Sequence, residues 1–219
     1  MHAKSKRYTG FTLAEVLITL GIIGVVAAFT IPTLMKNTQD AEFKSAWKKQ
    51  YSTFANATQT VLNDNGGNIS GLITGNDDTM RALYKPYLNV ATPCPKSVTV
   101  KGTCWHPDNT WYLLNGTPTP DATVPGFNVL LYPDPAGDIL ADGTLVRYLT
   151  TDCSAQPYCG YILVDVNGFR KPNTVGRDIY GMYLYTTKLV PVGTNTKGEG
   201  TTCNPTDNGF ACSAKYLYN

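Results

Sequence analysis

Three groups of residues in this sequence have the types and spacing to do chemistry. The first is Gly10-Phe11-Thr12-Leu13-Ala14-Glu15, which puts one carboxylate at the head of a run, Val16 to Met35, that holds no charged residue. A charge in such surroundings costs several kcal/mol unless it is paired, so Glu15 is a functional candidate in its own right. The second group is six cysteines, Cys94, Cys104, Cys153, Cys159, Cys203 and Cys212, all downstream of that run. The third is the segment from Asp165 to Asp178, which sets Asp165, Asn167, Asn173 and Asp178 among glycines between two strand-like stretches.

An even number of cysteines in an exported domain points to disulfides. Many pairings are open, and nearness in sequence favours Cys94–Cys104, Cys153–Cys159 and Cys203–Cys212. Each would close a small loop, worth about 2–3 kcal/mol in the chain-entropy picture. Zinc is the rival, but no C-x-x-C pair exists and His106 is the only histidine besides His2. The oxygen-rich 165–178 segment suits a hard cation such as calcium, which takes roughly six to eight oxygen ligands. The EF-hand pattern is absent there, and a turn at Asn167-Gly168 with side-chain caps is the plainer reading. No H-E-x-x-H, G-x-S-x-G or phosphate-binding loop occurs, and Gly193 to Gly198 lacks the Lys-Ser/Thr that such a loop needs. No catalytic residue is assigned, and the chain is not expected to be an enzyme.

These groups need elements to hold them. The 219 residues allow one domain with an attachment. Charged residues are only 16% and the formal net charge is +2, which argues against a charge-driven disordered chain and against a basic nucleic-acid binder. Lys4, Lys6 and Arg7 stand in the first ten residues without an acid; the remainder carries 15 basic against 16 acidic residues. Twenty uncharged residues after this basic flank span about 30 Å as a helix, enough to cross a bilayer with the N-terminus on the cytoplasmic side. Pro32 interrupts the run near its outer end and is a place for a bend. Beyond it Phe43, Trp47, Tyr51, Phe54, Thr58, Val61 and Leu62 recur at helical spacing, with Lys44, Lys48, Lys49 and Gln50 on the other faces. One helix from about Phe11 to Asn63, roughly 80 Å long, is expected to end at Asn65-Gly66-Gly67-Asn68.

Asp77 to Lys85 reads as a short helix ended near Pro86. Strands are expected at Phe127–Tyr132, Leu145–Leu149, Tyr161–Asp165 and Tyr180–Tyr185, parted by turns at Pro133–Gly137, Asp142-Gly143 and Asn167-Gly168. Segments 94–125 and 186–219 read mostly as loop. The fold class is α+β, a long helix packed by its apolar stripe on a small antiparallel sheet. The organisation is a leader at 1–10, a transmembrane and assembly helix at 11–35, its amphipathic continuation at 36–65 and an exported domain at 66–219.

The short basic leader, Gly10, Phe11, Glu15 five residues after the Gly, and the apolar run resemble the N-terminal signal of type IV pilins and type II secretion pseudopilins. Pro32 matches a proline that such proteins carry, and the 165–178 segment looks like a loop common among pseudopilin-like chains, some of which bind calcium. The resemblance implies cleavage between Gly10 and Phe11 by a prepilin peptidase, and methylation of the new amine. It implies partners too: other pseudopilins and copies of itself, an assembly ATPase, an inner-membrane platform protein and lipid before assembly. Gly10 leaves a peptidase close access to the backbone. The freed Phe11 ammonium of one subunit could pair with Glu15 of a neighbour, removing the desolvation penalty of both charges at one axial register.

Other readings stay open on the sequence. Val26-Ala27-Ala28 could serve an ordinary signal peptidase, although the apolar core is long for one. The exported domain could instead be a tip adhesin or a DNA- or substrate-capturing module, with its binding surface in the aromatic loops of 104–125. A membrane-tethered enzyme is the third reading.

Overall fold

The structure is a computed structural model, and it describes residues 10–96, 100–119, 136–154, 158–194 and 202–218. The chain forms two compact units, Met1–Ala41 and Glu42–Asn219. Helix α1, Leu13–Asp64, runs from the first into the second. In the first unit Leu17, Ile18, Leu20, Ile22, Ile23 and Phe29 all lie exposed. Among the described residues α1 is the one helix long and apolar enough to cross a membrane. The hydroxyls of Thr19, Thr30 and Thr38 donate to the carbonyls of Glu15, Val26 and Leu34, so these polar groups are satisfied inside the helix. Pro32 removes one amide donor without ending the helix.

In the second unit α1 changes character. Phe43, Trp47, Phe54, Ala57, Thr58, Val61 and Leu62 turn inward at three- and four-residue steps. Gln50, expected on an outer face, is also buried, at 2% exposure. Its amide explains this: Nε2 donates to Asp142 Oδ2 at 2.7 Å and to Thr144 Oγ1 at 2.8 Å, on the turn between two strands. Gly66 and Gly67 take positive φ just past the helix, where Gly67 N donates to the carbonyl of Leu62. Helix α2, Asp77–Tyr84, is capped by Asn76 and continues into a 3-10 turn, Lys85–Tyr87, around Pro86.

Among the described residues the sheet has six antiparallel strands in chain order: β1 Val90–Cys94, β2 Ala136–Leu140, β3 Leu145–Thr150, β4 Tyr158–Asp165, β5 Ile179–Tyr185 and β6 Leu189–Pro191. Three of the expected strands are β3, β4 and β5. The expected strand at Phe127–Tyr132 lies outside the described residues. Strands β1, β2 and β6 were not foreseen, and Ala136-Gly137, read as part of a turn, open β2. A short helix, α3 Cys212–Tyr218, also stands where loop was expected. Each of these pieces is short or carries Pro or Gly, and is held by pairing that no local pattern encodes.

The register explains the packing. Val146 faces Val164 across β3 and β4, and Ile162 faces Met182 across β4 and β5. These residues, with Tyr148, Tyr180 and Leu184, share a core with Trp47, Phe54 and Val61 of α1 and Met80 and Tyr84 of α2. The alternate residues Leu145, Leu149, Leu163 and Tyr183 form a second core with Trp105, Trp111, Val175 and Phe210. Both sheet faces are therefore covered, and every residue of β3 is buried. Disulfides join Cys94 to Cys104, Cys153 to Cys159 and Cys203 to Cys212. A buried ion pair, Arg81 Nε to Asp138 Oδ1 at 2.8 Å, fastens α2 to β2.

Gly160, at the irregularity where β4 meets β5, has φ +143°, and a Cβ there would lie 2.1 Å from the carbonyl oxygen of Leu149. Backbone cannot yield as a flexible side chain can. Gly160→Ala is expected to destabilise the domain by about 3 kcal/mol or more, read as a lowered thermal midpoint of the full chain in detergent.

Candidate functional site

The N-terminal chemistry is built by the first turn of α1. Gly10 and Phe11 are exposed, Phe11 at 89%. Thr12 precedes the helix, and its Oγ1 accepts a hydrogen bond from Glu15 N at 3.2 Å. Glu15 answers: its Oε2 accepts from Thr12 N and from Thr12 Oγ1, each at 2.8 Å. This is a reciprocal capping box, T-x-x-E, in which two orphan amides of the helix start are satisfied. The sequence reading missed Thr12, although the Thr-to-Glu spacing was there to be read. Glu15 is therefore hydrogen-bonded within its own chain. Pro32 lies about five turns beyond Glu15 along the same helix and is exposed.

The 165–178 loop joins β4 to β5 and is buried at its base. Asp165 and Asp178 are fully buried, and Asn173 is 8% exposed. Asp165 Oδ2 lies 2.7 Å from His106 Nε2, and its Oδ1 accepts from Asn167 N. The two oxygens of Asp178 accept from the amides of Thr174 and Asn173 at 2.6 and 2.7 Å. Asn167 Nδ2 reaches the Lys171 carbonyl and Asn173 Nδ2 reaches the Thr110 carbonyl, which leaves both amide oxygens buried without a donor. Among the described residues no group of three or more His, Cys, Asp or Glu side chains could hold a metal. His106, which the sequence offers only as a zinc ligand, is thus a partner of the loop, with Phe169 packed edge-on against its ring. Trp105 and Trp111, from the aromatic segment offered as a binding surface, lie in the second core at 1% and 2% exposure. Residues 120–125 of that segment lie outside the described residues.

Burial dominates the electrostatics of this cluster. It holds His106 down at about 4, against the opposing pull of the Asp178 charge. It pushes Asp165 well above the usual carboxylate range, against the amides of Asn167 and Gly168. Burial and then the nearby Asp165 charge push Asp178 up to about 7. Asp178 holds its proton up to about 7 when folded but only to 3.8 when unfolded, so its contribution is lost progressively over that window and no further above it. His106 works the other way: neutral when folded, it takes up a proton only in the unfolded chain, so it favours folding as pH rises from about 4 through its ordinary value of 6.5. Because the two effects oppose each other, the comparison is with Asp178→Asn, whose thermal midpoint is expected to gain on that of the native chain between pH 5 and 7, after an initial loss of one backbone hydrogen bond.

Residues 5–31 match the prokaryotic N-terminal methylation motif. The chain is also similar to the type II secretion system core protein G of Vibrio cholerae serotype O1, 40% identical over 43 residues. That stretch is 20% of this chain and 30% of the relative. No solved structure matches the chain. The motif covers Gly10, Phe11 and Glu15 together with most of the exposed apolar half of α1. This chain thus opens with a prepilin-type N-terminal methylation segment, carried on a helix that leads into an α+β domain.

Proposed function

We propose that the chain is a structural, non-enzymatic subunit of a filament of the type II secretion or type IV pilus type. The observation that carries this reading is the coincidence of the methylation motif with a helix whose apolar residues are exposed all round. Lipid satisfies those side chains first and neighbouring subunits later. A prepilin peptidase cuts between Gly10 and Phe11, on the cytoplasmic side of the inner membrane, and methylates the Phe11 amine. The domain lies on the far side, as the basic residues of the first ten direct. An assembly ATPase and a platform protein in the inner membrane supply the work, so this chain needs no nucleotide site. In the filament, Glu15 exchanges Thr12 for the Phe11 ammonium of a neighbour.

Intact-mass measurement of the N-terminus, in cells with and without prepilin peptidase, tests the processing step. Loss of residues 1–10 with a methylated Phe11 is expected only when the peptidase is present. A mature chain beginning at Phe29 would instead mean an ordinary secreted domain. Glu15→Ala is expected to be cut normally yet to fall at least about tenfold in filament incorporation, while the domain keeps its thermal midpoint.

A second reading concerns calcium at the 165–178 loop. It is favoured by the donorless amide oxygens of Asn167 and Asn173, on the same loop as two buried carboxylates that repel each other. These four side chains supply oxygen ligands, and a divalent cation relieves the repulsion. Millimolar calcium is expected to raise the thermal midpoint more at pH 8 than at pH 6, and a chelator to reverse it. Identical melting curves with calcium and with chelator would leave the loop satisfied by its own donors.

A further inference from the structure

We propose that the Cys203–Cys212 bridge is the thiol-exchange site of this chain, with Cys203 Sγ as the atom attacked by an incoming dithiol. The three bridges differ sharply in access. Cys94, Cys104, Cys153 and Cys159 are at most 1% exposed, and so is Cys212. Cys203 alone among the six is partly exposed. It lines an open cleft of about 480 Å³, together with Gly193, Thr194, Asn204, Lys215 and Tyr218. The cleft gives a thiolate a path to one sulfur of this bridge.

The chemistry balances without any group beyond the dithiol. A thiolate of the dithiol bonds to Cys203 Sγ, the Cys203–Cys212 bond breaks, and Cys212 leaves as a thiolate that takes up a proton. The second thiol of the reagent then attacks its own sulfur in the mixed disulfide and releases Cys203. Two electrons and two protons pass to the bridge, and the dithiol becomes a disulfide. The Tyr216 hydroxyl lies 3.5 Å from Cys203 Sγ and can donate to the thiolate that forms there. The partner implied is a dithiol oxidoreductase of the exported compartment, and the reverse reaction closes the bridge.

Hydrogen bonds, and not the bridge alone, seat α3. Ser213 O accepts from Trp47 Nε1 at 2.9 Å, Ser213 Oγ accepts from Gly181 N at 3.0 Å, and Ala214 N donates to the Val192 carbonyl. Lys44 Nζ stands 4.4 Å from the centre of the Tyr216 ring. These contacts hold α3 to α1 and β5 without help from sulfur, so the bridge can open while the domain stays folded. The proposal is independent of whether the chain assembles.

The test uses the full chain in detergent micelles, incubated with graded dithiothreitol, quenched with an alkylating reagent and mapped by mass spectrometry. Cys203 and Cys212 are expected to carry label at least about tenfold sooner than the other four, with unchanged far-UV circular dichroism. In the same window C203S/C212S, with its two remaining bridges, is expected to yield no labelled thiol. Earlier labelling at Cys94, Cys104, Cys153 or Cys159 overturns the proposal. So does the appearance of every thiol together as the dichroism signal is lost, because unfolding and not the cleft would then govern access.

Discussion

A six-stranded sheet has two faces, and in this chain both must be kept from water. The central strands impose that constraint: along β3, β4 and β5 apolar residues stand on either side of the pleat, so covering one face alone would leave a full row of them wet. The second half of α1 closes one side. Trp47 does most there, stacking on Tyr180 at 4.9 Å between ring centres while its indole nitrogen ties α3 through the Ser213 carbonyl. The other side is closed by irregular chain carrying Trp105, Trp111, Val175 and Phe210, drawn in by the bridges from Cys94 to Cys104 and from Cys203 to Cys212. Segments of that kind have little propensity to hold themselves, and the covalent closures limit how far they can wander.

The same helix serves two solvents. Up to Met35 it is apolar all round and its hydroxyls are bonded inward, which is what a medium without hydrogen-bond partners requires. From Phe43 onward one stripe is apolar and the rest is polar, which is what a sheet on one side and water on the other require. The capping box at its start gives Glu15, the acidic residue at the head of the apolar stretch, a neutral partner in Thr12.

The buried His106, Asp165 and Asp178 illustrate how a polar cluster can hold a long connection in place. Asp178 gathers the amides of Asn173 and Thr174, and Asp165 ties the strand end to His106, which lies some sixty residues earlier in the chain. Desolvation is the largest influence on each of the three, so their protonation is set by burial before it is set by one another.

By itself the sequence determined the elements whose signal is local. The length and uncharged character of Val16–Met35, the stripe from Phe43 to Leu62, the stop at Asn65-Gly66, the short helix before Pro86 and strands β3 to β5 all follow from side-chain periodicity and turn residues within a short window. The Gly10-Phe11 to Glu15 pattern was equally local. Tertiary structure decided what depends on partners distant in sequence: the short strands β1, β2 and β6, the burial of Gln50 by Asp142 and Thr144, the second core beneath apparent loops, and the meeting of His106 with Asp165. None of these has a period or motif to announce it. Each exists because a backbone edge, a buried amide or an exposed sheet face had to find a complement, and which residue supplies it is settled only when the whole chain packs.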